Sequence, residues 1–100
     1  MGLTMEQAKA VLRVDNDDVI VTEWQFAPGS ATGEHRHGYD YVVVPLTAGT
    51  LRITSATGES FATLMPGAAY ARKAGVEHNV INAGSEYLAF VEVELKRQPG

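Results

Sequence analysis

Gly29-Ser30-Ala31-Thr32-Gly33-Glu34-His35-Arg36-His37-Gly38-Tyr39-Asp40-Tyr41-Val42-Val43-Val44-Pro45-Leu46 brings a turn signal, two histidines and an apolar run into one stretch. In extended chain, residues i and i+2 point to the same face, so His35 and His37 offer two imidazoles to one point. The remaining histidine, His78, lies in Gly75-Val76-Glu77-His78-Asn79-Val80-Ile81-Asn82. Brought in on a neighbouring strand, it would complete a facial trio with coordination positions left open. Such a trio suits one divalent transition metal: iron, nickel, copper, manganese or zinc. A single histidine is more often hydrogen-bonded or exposed, but this spacing makes His35, His37 and His78 candidate metal ligands.

The glycines around this stretch set the architecture. Gly29, Gly38, Gly49, Gly58, Gly67, Gly75 and Gly84 recur at intervals of 8 to 11 residues, the turn rhythm of an all-β sandwich or barrel. Residues 19–26 are β-branched and aromatic and end at Pro28-Gly29. Residues 41–46 read as a strand apolar on both faces, and 51–54 as a half-exposed one. Further strands are expected at 60–64, 70–72 and 79–82. The last is the clearest, with Tyr87, Ala89, Val91, Val93 and Leu95 on one face and Leu88, Phe90, Glu92 and Glu94 on the other. Thr4-Met5-Glu6-Gln7 resembles a capping box that could start a short helical turn through Ala10, in competition with a strand at 11–14. Asp15-Asn16-Asp17-Asp18 reads as a polar turn. It lacks the spaced ligands and glycine of a calcium loop.

Composition sets the bounds. One hundred residues, 45% apolar and 20% charged, make a single domain over residues 1–100 able to bury its own core. A net charge of -4 without a basic run argues against nucleic acid and anionic membranes as partners. No apolar stretch is long enough to cross a bilayer as a helix, the N-terminus has no signal-peptide pattern, and there is no cysteine, so a cytoplasmic location is expected. Neither a phosphate-binding glycine loop nor a hydrolase elbow is present.

At this point the chain resembles the cupins, small β-barrel proteins with the motifs G-x5-HxH-x(3,4)-E-x6-G and G-x5-PxG-x2-H-x3-N. Gly29, five residues and His35-Arg36-His37 match the first opening, and Gly49 its end. Gly67, five residues, Lys73-Ala74-Gly75, two residues, His78, three residues and Asn82 match the second, with lysine in place of proline. The resemblance implies a cupin-type jelly-roll barrel, a metal on the three histidines, and a homodimer. Counting back from Gly49, Val42 stands where the family's metal-binding glutamate falls. Loss of that carboxylate would leave a site charge of about +2 instead of about +1, a stronger Lewis acid with more affinity for anionic oxygen. Asp40 is the candidate replacement through a shifted turn, set against an ordinary role in the turn.

Other cavity candidates are Tyr70 and Arg72, which share one strand face, and Glu92. An inward Arg72 would offer a fork to a substrate carboxylate, and an inward Glu92 a general base. If these strand charges face water instead, they have no such role. Trp24 and Phe26 are expected in the core or at a subunit interface. Two functions fit: a metal-dependent enzyme of the dioxygenase, isomerase or lyase type acting on a small anionic metabolite, or a non-catalytic cupin holding a small ligand or structural metal. The stretches 22–29, 36–41 and 75–82 look most like small cupins associated with bacterial β-alanine degradation.

Overall fold

The computed structural model describes residues 6–97. Its strands are β1 (Lys9–Asp15), β2 (Val19–Phe26), β3 (His35–Arg36), β4 (Asp40–Pro45), β5 (Gly49–Ser55), β6 (Gly58–Leu64), β7 (Tyr70–Arg72), β8 (Glu77–Asn82) and β9 (Leu88–Leu95). They form a five-stranded sheet in the order β1-β2-β9-β4-β7 and a four-stranded sheet in the order β3-β8-β5-β6. Every strand pair is antiparallel, as in a jelly-roll barrel. The strands expected from the glycine rhythm are all present. The proposed helical turn through Ala10 is not: Thr4 and Met5 lie outside the described residues, and from Lys9 the chain is strand β1, paired with β2. Pairing beside an existing sheet satisfies those backbone groups more fully than one isolated helical turn could.

The polar run after β1 is a side-chain-braced turn in which Asn16 Oδ1 accepts from the amides of Asp18 (2.8 Å) and Val19 (2.9 Å). Between the sheets lies one apolar cluster that includes Phe26, Val43, Leu51, Leu64, Val80, Leu88 and Phe90, with Trp24 and Ile53 packed against it. Phe26 and Phe90 meet in a tilted pair, ring centroids 5.5 Å apart, which adds about 1 kcal/mol to their area burial. Phe26 is thus core, as expected.

Two motif positions have plain structural causes. A Cβ on Gly49 would sit 2.6 Å from Leu88 Cδ1, so any larger residue would push the buried Leu88 side chain out of its place in the core. Buried Asn82 donates through Nδ2 to the Phe26 (3.3 Å) and Glu86 (2.8 Å) carbonyls and accepts from the Gly84 amide (2.9 Å), tying β2 to the turn before β9. That asparagine holds the fold, not the chemistry.

Register decides which side chains enter the barrel. Glu92 stands opposite Thr22 and Val43, Phe90 opposite Trp24, and Tyr41 opposite both Glu94 and Arg72. The inner face of β9 is therefore Leu88, Phe90, Glu92 and Glu94, the face that carries the carboxylates. Its outer face is aliphatic, with Val91 and Val93 beside Val42 and Val44 of β4.

Candidate metal centre

His35 and His78 are direct cross-strand partners on β3 and β8, and His37 follows just past the end of β3. The loop after His37 is fixed by two backbone bonds, His37 N to the Val76 carbonyl (2.9 Å) and Gly75 N to the His37 carbonyl (2.7 Å). Gly75 makes that return at a φ of 93°, a region that favours glycine.

The three rings converge through their Nε2 atoms. His35 Nε2 is 3.0 Å from His37 Nε2, which is 3.2 Å from His78 Nε2, and the three donor atoms lie within 4.8 Å of one another. On the far side of its ring, His35 Nδ1 donates to the Gly33 carbonyl (2.9 Å), which fixes the tautomer and leaves Nε2 with a free lone pair. Nitrogens this close repel unless a neutral N–H tautomer bonds one to another or a cation lies between them, and one N–H cannot satisfy all three. An added proton is a poor solution here: burial, then the charge of neighbouring groups (His35 first among them), lowers His37 and His78 to about 4. A divalent metal fits better, since nitrogens about 3 Å apart have the spacing of adjacent corners around an ion bound at about 2.1 Å. The predicted trio is assembled.

The fourth position differs from the sequence expectation. Val42 is not the residue that faces the histidines. Burial alternates along β4, with Tyr41 and Val43 inward and Val42 on the opposite face. Tyr41, 2% exposed, lies against His37 with ring centroids 3.8 Å apart and planes 19° from parallel. It therefore takes the place reached by the shorter spacing of the family motif, and an aromatic ring braces His37 where a carboxylate would bind. Asp40 does not replace the glutamate either. It accepts from the Ala74 amide (2.8 Å) and faces Lys73 (3.8 Å) in the loop, the turn-bracing alternative.

The carboxylate near the trio comes from β9. Glu92 is 8% exposed, and its Oε2 lies 3.9 Å from His37 Nε2. Burial, then the neighbouring Glu94, pushes Glu92 up to about 7, with a hydrogen bond from Trp24 acting the other way. Glu92 opens onto a cavity of about 410 Å³, whose lining also includes His78, Tyr41, Tyr70 and Arg72. Tyr70, Arg72 and Glu92 all line this cavity, and Asp40 is not part of its lining. The sequence reading missed Tyr41, for which the three-residue spacing after His37 was the available signal.

These shifts fix a pH response. Between about pH 4 and 6.5 the unfolded chain binds the His37 and His78 protons and the native chain does not, so those residues cost stability as pH falls. Glu92, raised in the fold, contributes stability below its unfolded value near 4.5 and loses it as pH rises through about 7. Metal-free Glu92→Gln should therefore be more stable than the metal-free wild type at pH 8, by roughly 2–3 kcal/mol relative to their difference at pH 4.5, and should lose stability more steeply on acidification. Urea denaturation in chelator across that range measures both effects.

Two antiparallel sheets enclosing a histidine-lined cavity define a jelly-roll barrel of a familiar class. The chain belongs to the cupin family: the family model for the cupin domain matches residues 22–94. It is 61% identical over 90 residues to the β-alanine degradation protein BauB of Pseudomonas aeruginosa, spanning 90% of this chain and 95% of that protein. A crystal structure of a cupin domain from Bordetella pertussis is similar at a TM-score of 0.93 and 46% identity, covering 96% of this chain and all of that one. The polyketide cyclase RemF of Streptomyces resistomycificus shares the fold at a TM-score of 0.70 and 18% identity, over 98% of this chain and 73% of that one.

Proposed function

We propose that this cupin is a metal-dependent enzyme of the oxygenase, isomerase or lyase type, acting on a small anionic metabolite in β-alanine degradation. The observation that carries this reading is the convergence of three Nε2 atoms beside a cavity of about 410 Å³, a size in the small-molecule range. His35, His37 and His78 would hold the ion, which when bound supplies Lewis acidity or, if iron or copper, redox chemistry. The protein's own part is to present three neutral nitrogens, to keep Tyr41 against His37, and to place the Glu92 carboxylate in the cavity as proton acceptor. The pathway rests on the likeness to the Pseudomonas protein across nearly its whole length.

The test is the metal content of untagged protein by elemental mass spectrometry, followed by oxygen-electrode screening of small carboxylates when iron or copper is found. About one equivalent per chain is expected. Protein that holds no metal and takes none up anaerobically would instead be the non-catalytic ligand-binding barrel. We also place the protein in the cytoplasm as a homodimer. The aliphatic outer face of Val42, Val44, Val91 and Val93 is the surface a second copy would cover, and light scattering on the same sample should give twice the chain mass.

A further inference from the structure

The proposed chemistry leaves the Arg72 guanidinium of the cavity lining unused. Arg72 ends β7 opposite Tyr41, which puts it on the barrel's inner face at the mouth. Its guanidinium carbon lies 4.5 Å over the Tyr70 ring, and its hydrogen bond is one donation from Nη1 to the Ala71 carbonyl (3.1 Å). Arg13 pairs with Glu23, Arg52 with Glu59 and Arg97 with Asp18, yet among the described residues no carboxylate lies within ion-pair distance of Arg72. A guanidinium braced on an aromatic face keeps most of its donors in a fixed plane and has little rotamer freedom left to lose on binding. Its charge also reaches the histidine wall, where it contributes to lowering His78.

The rest of the lining says what those donors can take. Val43, Leu51, Ile53, Val80 and Phe90 make much of the wall apolar, while Glu77 and Glu92 line the same cavity. Arg72 brings one positive charge, enough to pair one carboxylate, and the neighbouring Glu92 carboxylate opposes the second charge of a phosphate dianion. Lys73, the next cation along the chain, is 90% exposed and turned to Asp40.

We propose that Arg72 anchors the substrate through its carboxylate, so that the ligand is a small monocarboxylate whose other end reaches the histidine wall. This rests on the cavity being the substrate site, and it narrows the anionic metabolite to that class. Arg72 acts by forked, charge-assisted hydrogen bonds to the two carboxylate oxygens, with the stack on Tyr70 holding the fork in place.

The experiment is calorimetric titration of the full chain, metal-free and metal-loaded, with propionate, propionamide and inorganic phosphate, together with NMR of the arginine Nε–H signals. Propionate should bind both forms and shift the Arg72 signal, and propionamide should bind far more weakly. Arg72→Gln should weaken propionate binding about 10- to 100-fold with metal content unchanged, and Arg72→Lys, which keeps charge but not the fork, should fall between. Propionate affinity untouched by Arg72→Gln, propionamide binding as tightly as propionate, phosphate binding more tightly, or no propionate binding by the wild type would each overturn the proposal. Working on metal-free protein separates the two readings: a wild type that never takes metal sinks the metalloenzyme while leaving the Arg72 anchor measurable, and a metal-loaded protein indifferent to Arg72→Gln does the reverse.

Discussion

Replacing His78 with alanine is expected to strip bound metal from the protein and leave the barrel folded. His78 is the trio's only member from β8, and without it the centre keeps two nitrogens from one short stretch. Loss of a partner behind a metal ligand typically costs 10- to 100-fold in affinity, so loss of a ligand itself should exceed about 100-fold. The fold should survive because the apolar cluster does not include His78, and the change in stability should stay near 1 kcal/mol. Elemental analysis beside a thermal melt of metal-free samples reads both quantities. Full metal content in this variant would put the centre elsewhere. In the wild type, protons must displace the metal from imidazoles that burial holds at about 4, so release on stepwise dialysis should come well below the ~6.5 of free histidine.

Tyr41→Glu should have the second large effect, and of opposite sign in the two states of the protein. Tyr41 is 2% exposed and belongs to the core cluster, so exchanging its ring for a carboxylate should destabilise the metal-free protein by about 3–5 kcal/mol. With metal present the new carboxylate stands beside His37, in the place the family gives its glutamate. Metal should then bind more tightly than in the wild type and raise the melting temperature by a larger increment, since any ligand that binds only the native state stabilises it in proportion to its affinity. Val42→Glu is the control: its side chain is on the outer face of β4, and metal affinity should not change. Should Val42→Glu tighten metal while Tyr41→Glu does not, the inward assignment of β4 is wrong. Melting curves with and without added zinc, on both variants, decide it.

The difference between positions 41 and 42 shows how far a sequence of this kind can be read. The motif's variable spacing allows three or four residues between His37 and the glutamate position, and one residue of slip exchanges the two faces of a strand. Val42, Val43 and Val44 are all apolar, so composition gave no reason to prefer either parity. Pairing with β7 and β9 settles it, because Tyr41 must lie on the side of Arg72 and Glu94. Glu92 shows the same limit. Two glutamates alternating with aliphatic residues on a last strand ordinarily face water, but here they share the inner face with Phe90, and Glu92 lines the cavity. Arg72 was legible as the neighbour of Tyr70 on one face, but not as a guanidinium without a carboxylate partner.

What the sequence determined by itself is local or periodic. Turn glycines at 8- to 11-residue spacing set a β-barrel with its strands in place, and the H-x-H pair with a distant histidine in a matching motif named the three candidate ligands. These follow from chain geometry within a few residues, where period-two alternation and glycine backbone freedom act without knowledge of partners. The tertiary structure alone decided which face of each strand turned inward, and so put Tyr41 rather than Val42 beside His37, set Asp40 to brace the loop at Ala74 and brought Glu92 within 3.9 Å of His37. The reason is physical. Facing depends on register between strands far apart in the chain, and register is set by the whole sheet's hydrogen bonding and packing.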